Sequence, residues 1–142
     1  MQTFLPYRDF TSCAKVLDYR RLGKQRVETL QIMQALFLHK GWVNHPATRM
    51  WRGFEGMLLE YQIAITTEWV ARGYKDTCLD KTTELFYEHR PFATTAEAPP
   101  WLGKLVLHSS HRANLLRKDP VHYGQFGWPE SPAEGYYWPV SK

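Results

Sequence analysis

The densest group of side chains able to do chemistry lies between residues 15 and 28. Its members are Lys15, Asp18, Arg20, Arg21, Lys24, Gln25, Arg26 and Glu28. Neighbouring cations favour the charged form of a carboxylate, so Asp18 and Glu28 are suited to stabilising a developing cation or orienting a water. The surrounding cations suit the phosphates of a nucleotide. The cluster predicts a nucleotide site, with a solvated helix face of ion pairs as the alternative.

Four of these residues recur at i, i+3, i+7 and i+10: Asp18, Arg21, Gln25 and Glu28. This spacing places them on one face of a helix. We predict that this first helix begins near Cys13, runs towards His39 and has a weak point at Gly23.

Two smaller groups offer further contacts to a polyanion. His45 stands at a loop-to-helix junction before Pro46, with Arg49 one turn later. Such a histidine can contact a phosphate or a base, transfer a proton, or simply be structural. His108 and His111, with Arg112 beside them, predict a phosphate-binding helix face. They lack a cysteine or carboxylate partner, so we expect no metal.

The helices that position these groups follow from apolar periodicity. We predict a middle helix over Phe54–Arg72 and a third over Trp101–Lys118, with only short pieces in residues 74–100. The tail from Val121 onward is rich in aromatic residues, which seal a helical core or stack on bases. The expected fold is all-α: residues 1–142 form a single compact domain of about three main helices, with an aromatic-rich C-terminal tail wrapping around it.

Composition and charge limit the classes of function. The 142 residues carry a net charge of +4, and 44% are hydrophobic. Residues 1–52 hold nine Lys/Arg against three Asp/Glu, whereas residues 53–100 hold four against eight. Such polarity attracts a polyanion, although it also serves solubility. The two cysteines form no CxxC pattern, and no apolar run is long enough for a membrane span. We expect a cytoplasmic monomer without cofactor.

Three motifs resemble the pyrimidine-dimer DNA glycosylase family, the endonuclease V of phage type. The segment Asp18–Arg26 is similar to that family's acid-Tyr-Arg-Glu-Leu-Pro-Arg motif. The segment from His45 to Arg72-Gly73-Tyr74 resembles its middle helix, and residues 120–123 resemble its Pro-x-aromatic-Tyr ending. The resemblance spans most of the chain. It implies an all-helical enzyme that flips a nucleotide and cuts the glycosidic bond with its own N-terminal amine, aided by a glutamate.

Carried over to this chain, the resemblance assigns substrate binding to Arg20 and to Lys24 or Arg26. The family's catalytic glutamate falls on Arg21, so Asp18 or Glu28 would have to replace it. The family's nucleophile is a threonine exposed by removal of methionine. Here the bulk of Gln2 should block that removal, which leaves the amine of Met1, with Thr3 nearby.

We therefore predict a DNA glycosylase, with or without AP-lyase activity, that acts on a flipped damaged or modified base in double-stranded DNA. The predicted catalytic residues are Met1, Asp18 and Glu28. The predicted substrate contacts are Thr3, Arg20, Arg21, Lys24, Gln25, Arg26, His45, Arg49 and Arg112. A water nucleophile remains an alternative to the amine. A non-catalytic nucleic-acid-binding module and a protein adaptor remain alternatives to the enzyme.

Overall fold

The computed structural model describes residues 1–90 and 97–140. Within those ranges the chain forms α-helices and no strand, which confirms the all-α class. The helices are α1 (Phe10–Val16), α2 (Tyr19–Leu38), α3 (Pro46–Trp51), α4 (Glu55–Ala71), α5 (Cys78–His89), α6 (Leu105–Lys118) and α7 (Pro120–Tyr123). The expected count of three main helices was therefore too low. None of the described helices combines the length and apolar character that a bilayer crossing requires.

The first predicted helix is two helices, because the chain breaks at Leu17 and Asp18. Leu17 has an extended backbone with ψ 136°, and Asp18 is the N-cap of α2. Its carboxylate accepts a hydrogen bond from the Arg21 amide at 3.4 Å, which satisfies a donor of the first turn. Gly23 is no weak point. A Cβ there would lie 2.8 Å from the Trp69 ring, so glycine lets α2 and α4 pack closely.

A 12-residue helix, α5, lies where we predicted only short pieces. The Asp76 carboxylate accepts a hydrogen bond from the Leu79 amide at 2.8 Å and so supports the first turn. The Thr82 hydroxyl accepts one from the Gln62 side chain of α4 at 3.1 Å. Helix α5 is amphipathic, because its apolar residues recur at helical spacing and pack against the core: Leu79, Leu85 and Phe86. The part of this prediction that covers residues 91–96 lies outside the described residues.

The other two helix predictions agree with the structure to within a few residues. The middle helix is α4, and Gly73 follows it with φ +97°. The third helix ends at Lys118 as predicted but begins at Leu105 rather than Trp101. The preceding residues form a turn in which Gly103 has φ +98°, a conformation that favours glycine.

The core forms around the N-terminal segment, residues 1–5, which forms no helix and crosses the interior. Thr3 and Leu5 have no exposed surface. Helices α2, α3, α4, α6 and α7 each contribute to this core fully buried side chains, including Leu22, Trp51, Tyr61, Ile65, Leu107, Leu115 and Tyr123. The first residues of the chain are therefore held as firmly as a central element.

The last described residues form an irregular C-terminal strap, residues 127–140, which crosses α6. The Glu130 carboxylate accepts hydrogen bonds from Arg112 at 2.7 and 2.9 Å and from the Ser109 hydroxyl at 2.9 Å. The Ala133 amide donates to the Ala113 carbonyl at 3.2 Å. The aromatic tail thus packs against the core, as one of the two predicted alternatives had it.

Candidate active site

Side chains of α2 hold the start of the chain. The Gln2 amide donates to the Glu28 carboxylate at 3.0 Å, and the Phe4 amide donates to the Gln25 side-chain oxygen at 2.9 Å. The Gln25 side-chain nitrogen donates to the Gln2 carbonyl at 2.7 Å. Both polar atoms of Gln25 are therefore engaged in positioning the segment, and the side chain is buried.

Helices α3 and α4 hold the same segment from another side. The Thr3 hydroxyl accepts a hydrogen bond from the Trp51 indole at 3.0 Å, and the Tyr61 hydroxyl donates to the Phe4 carbonyl at 2.7 Å. Thr3, which we predicted near the substrate, is fully buried. Its observed contact anchors the chain start, and its side chain faces the interior.

Two histidines of α6 fix Leu5, and this overturns the prediction of a phosphate-binding face. The Leu5 amide donates to His111 Nδ1 at 2.9 Å, and His108 Nδ1 lies 2.7 Å from the Leu5 carbonyl. Burial lowers the pKa of His111 to about 3 and also lowers that of His108. Both rings are therefore neutral inside the protein and cannot attract phosphate.

A cavity of about 350 Å³ opens beside the chain start. Its lining residues are Met1, Gln2, Phe4, Arg20, Arg21, Lys24, Gln25, Glu28, Lys118 and Tyr136. Three of the four residues predicted on one helix face (Arg21, Gln25 and Glu28) line it together. Its volume lies at the lower end of the range for small-molecule sites, about 300–1,000 Å³.

Glu28 is the carboxylate that reaches the chain start. Covalent geometry keeps the Met1 amine within about 4 Å of the Gln2 nitrogen, which itself donates to Glu28. The Lys24 ammonium lies 3.7 Å from the other Glu28 oxygen. The cavity thus brings together an amine and a carboxylate, the two groups that attack of an amine on a sugar carbon would use.

His45 lies near the Met1 amine and Glu28 but makes a structural hydrogen bond of its own. As the N-cap of α3, its Nδ1 accepts a hydrogen bond from the Ala47 amide at 3.0 Å. Burial lowers the pKa of His45, and the positive charge of the Met1 amine lowers it further. The imidazole is therefore neutral near pH 7, with its proton on Nε2.

Asp18 is engaged elsewhere. It caps α2, accepts a hydrogen bond from the Tyr123 hydroxyl at 2.5 Å and pairs with the Arg21 guanidinium at 3.0 Å. Burial alone would raise the pKa of the Asp18 carboxyl, but the hydrogen bonds from Tyr123 and Arg21 outweigh it and lower the pKa. Asp18 does not line the cavity. Its hydrogen bond with Tyr123 joins α2 to α7.

Cations form a rim at the cavity mouth. Arg20 and Lys24 of α2 and Lys118 of α6 are exposed there, and Arg21 is half-buried. Burial lowers the pKa of Lys118, and the nearby positive charges of Arg117, Arg21 and Lys24 lower it further. Sequence reasoning did not assign Lys118 to the site, because only the packing of α6 brings it beside α2. A cationic rim of this kind favours a polyanion.

Three other predicted contacts lie outside the cavity lining. Arg26 pairs with Asp76 and covers the Trp69 ring at 4.3 Å. Arg112 pairs with Glu130 of the C-terminal strap, and Arg49 is half-buried in the last turn of α3 with contacts inside the protein. The guanidinium groups of Arg26 and Arg112 thus form ion pairs with carboxylates of the protein itself.

A larger cavity of about 670 Å³ lies between α1 and α4, away from the chain start. Its lining includes the acids Asp9, Glu60 and Glu68 as well as Arg8 and Lys15. This mixed charge does not favour phosphate. Nor does any group of three or more His, Cys, Asp or Glu side chains in residues 1–90 and 97–140 form a metal-ligand set.

The sequence also matches a family model. The model of pyrimidine dimer DNA glycosylases matches residues 1–82, more than half of the 142. The chain belongs to the pyrimidine dimer DNA glycosylase family. The segment that matches this family contains Met1, Glu28 and His45, whereas α6 and the C-terminal strap lie beyond it. Searches of curated proteins and of solved structures gave no match.

Proposed function

We propose that the protein is a DNA glycosylase that excises a damaged or modified base from double-stranded DNA and then cleaves the strand, with the pyrimidine dimer as its first candidate substrate. The observation that carries this proposal is the hydrogen bond of 3.0 Å between the Gln2 amide and Glu28. It places a carboxylate beside the first amine of the chain, at the floor of a cavity with a cationic rim. Membership of the family supports the same reaction.

In the proposed reaction, the neutral Met1 amine forms a bond to C1′ while the bond between C1′ and the base breaks. The electron pair of the broken bond stays with the base, which takes a proton from water. A base that is part of a pyrimidine dimer then remains linked to its neighbour through the cyclobutane ring. The Glu28 carboxylate stabilises the positive charge that develops at C1′ and moves a proton from the amine to O4′, so that the sugar ring opens and a C1′=N imine forms. Water then takes a proton from C2′, the C3′–O bond breaks, and the 3′ part of the strand leaves with its 5′-phosphate.

The remaining lining residues serve this reaction by position and charge. Gln25 and Thr3 fix the N-terminal segment so that the amine has one location. Such preorganisation supplies much of the effect of a catalytic group. Arg20 and Lys118 are exposed at the rim, where phosphates on either side of an extruded nucleotide would lie.

The test uses a duplex oligonucleotide with one thymine dimer under single-turnover conditions. It measures strand cleavage, together with the thymine set free by photoreversal, because the cyclobutane ring still links the cut base to its neighbour. We expect activity from the parent protein and a loss of about 10²–10⁴-fold in Glu28→Gln, the usual effect of removing an acid–base group. A glutamine can still accept the Gln2 hydrogen bond, so the fold should persist.

The matched control is Glu60→Gln, which removes an exposed carboxylate that lines the cavity between α1 and α4. It should act like the parent. Binding of the duplex without cleavage of the strand or of any glycosidic bond, in parent and Glu28→Gln alike, would contradict the enzymatic proposal and favour a non-catalytic DNA-binding module.

A further inference from the structure

Gln2 carries a buried polar atom that has no partner among the described residues. Gln2 lines the cavity together with Met1 and Glu28, yet only 3% of its surface is exposed. Its side-chain nitrogen makes no hydrogen bond to any residue within 1–90 and 97–140. A buried donor without an acceptor destabilises the folded state. In a residue that lines a cavity, such a donor indicates a ligand that accepts its hydrogen bond.

The other polar atoms of Gln2 are engaged, which identifies the free atom as a donor. The side-chain oxygen accepts a hydrogen bond from the Thr3 amide at 2.9 Å. The backbone amide donates to Glu28 at 3.0 Å, and the backbone carbonyl accepts from Gln25 at 2.7 Å. The Thr3 amide needs an acceptor, so the oxygen faces it and the nitrogen, which can only donate, is left over. The matching ligand atom must therefore be an acceptor.

The place of Gln2 in the chain limits which acceptor this is. Gln2 follows Met1 directly, so its Cα lies about 3.8 Å from that of the residue whose amine attacks C1′ in the proposed reaction. The acceptors nearest to C1′ are O4′ of the sugar and, in a pyrimidine nucleotide, O2 of the base. Phosphate oxygens are better served by the charged rim residues than by a neutral amide.

Only one of these two acceptors gains negative charge during the reaction. When the bond between C1′ and N1 breaks, its electron pair stays with the base and spreads onto O2. In contrast, O4′ shares the positive charge that develops at C1′. A donor to O2 therefore binds the transition state more tightly than the substrate, which is the condition for catalysis.

We propose that the side-chain nitrogen of Gln2 donates a hydrogen bond to O2 of the pyrimidine whose glycosidic bond breaks, and so stabilises the negative charge that develops on that base. This inference rests on the proposed function. It makes Gln2 a catalytic residue for departure of the base, whereas the Met1 amine and Glu28 act on the sugar. The amide protons stay on Gln2, and the base still takes its proton from water.

The test compares two duplexes, one with a thymine dimer and one with a preformed abasic site, which has no base. Cyanoborohydride, which reduces an imine faster than the aldehyde of an abasic site, traps the covalent adduct on both. The rate of adduct formation is measured for each duplex under single-turnover conditions. Both adducts form on the same amine, so the ratio of the dimer rate to the abasic rate cancels any change in the amine itself.

Two variants remove the free donor and keep a long side chain at residue 2, so that Met1 should be retained. In Gln2→Glu an oxygen remains to accept the hydrogen bond from the Thr3 amide, and Gln2→Met introduces no charge. Each should lower the ratio by about 10²–10³-fold, the usual effect of removing one donor to a developing anion. Intact mass checks that Met1 is present, and a thermal unfolding midpoint checks the fold.

The matched control is Gln125→Met, which changes an exposed glutamine outside the cavity lining. Its ratio should stay within about twofold of the parent value. Rates that fall equally on the two duplexes in both Gln2 variants, or on neither duplex, would overturn the inference and leave Gln2 only the task of holding the chain start. Failure of the proposed function has a different signature: the parent itself then forms no adduct with the dimer duplex, and the inference fails with it.

Discussion

At the scale of single residues, two carboxylates of the same neighbourhood have separate tasks. Glu28 accepts a hydrogen bond from the backbone amide of Gln2, whereas Asp18 caps α2 and accepts a hydrogen bond from the Tyr123 hydroxyl. Spacing alone predicted both on one face and could not choose between them. The choice depends on Tyr123, 105 residues away from Asp18, and such a contact leaves no local trace in the sequence.

The buried histidines predict how stability depends on pH. The pKa of His111 is lowered to about 3 in the folded protein, and burial lowers that of His108. Below the ordinary histidine pKa of about 6.5 the unfolded chain takes up protons that the native state does not. Stability should therefore fall between pH 6.5 and 5 by at most about 1.4 kcal/mol per pH unit for each of these histidines.

Urea unfolding at pH 6.5 and pH 5 measures this change. In His111→Gln the glutamine can still accept the hydrogen bond from the Leu5 amide, but it does not titrate. The stability of this variant should therefore depend less on pH than that of the parent. The same pH dependence in parent and His111→Gln would show that this ring is not held neutral by burial.

At the scale of elements, α2 is the part that the sequence predicted best. Its placement of Arg21, Gln25 and Glu28 on one face is confirmed by the cavity that they share. The break at Leu17 and Asp18, before α2, was missed. An aspartate at that point of a helical pattern can be either a charged residue on a helix face or the N-cap of a new helix, and the sequence does not distinguish the two. Helix α5 was missed although its apolar residues are spaced for a helix, because the prolines that follow it, Pro91, Pro99 and Pro100, led us to treat all of residues 74–100 as broken.

Contact between α2 and α4 predicts the effect of a substitution at Gly23. Alanine is the better helix former by about 1 kcal/mol, but its Cβ would lie 2.8 Å from the Trp69 ring. Forcing the ring aside typically costs about 1–3 kcal/mol. We expect Gly23→Ala to lower the thermal unfolding midpoint.

The matched control is Gly124→Ala. Gly124 has a right-handed helical backbone and open space around its Cβ position, so that variant should unfold at the parent temperature or slightly above it. A Gly23→Ala protein more stable than the parent would mean that the close approach of α2 to Trp69 is not required.

At the scale of the whole molecule, the fold class and the basic character were readable from composition and periodicity. Composition and periodicity did not indicate that the chain start, α2, α6 and the C-terminal strap meet at one cavity. Residues such as Lys118 and Tyr136 lie more than a hundred positions from the N-terminal segment, and only tertiary packing brings them to one cavity. Surface charge carries information about the ligand, whereas side-chain roles depend on these long-range contacts.

The cationic rim predicts a salt dependence of DNA binding. Each phosphate contact contributes about 0.9 to the slope of log K against log salt. Removal of one rim cation, as in Lys118→Ala, should therefore reduce the slope by about 1. Lys81→Ala changes the net charge equally but lies on α5 away from the rim, and should leave the slope as in the parent. Equal slopes for Lys118→Ala and the parent would place the DNA on another face.

The central claim, an imine between the Met1 amine and the sugar, is tested most directly by borohydride reduction. The protein is incubated with dimer-containing duplex in the presence of borohydride, and the adduct is digested and mapped by mass spectrometry. We predict one covalent adduct, with the DNA on Met1, and none when an uncleaved extension precedes Met1. Cleavage of the glycosidic bond without any adduct, or an adduct on Lys24, would contradict the account.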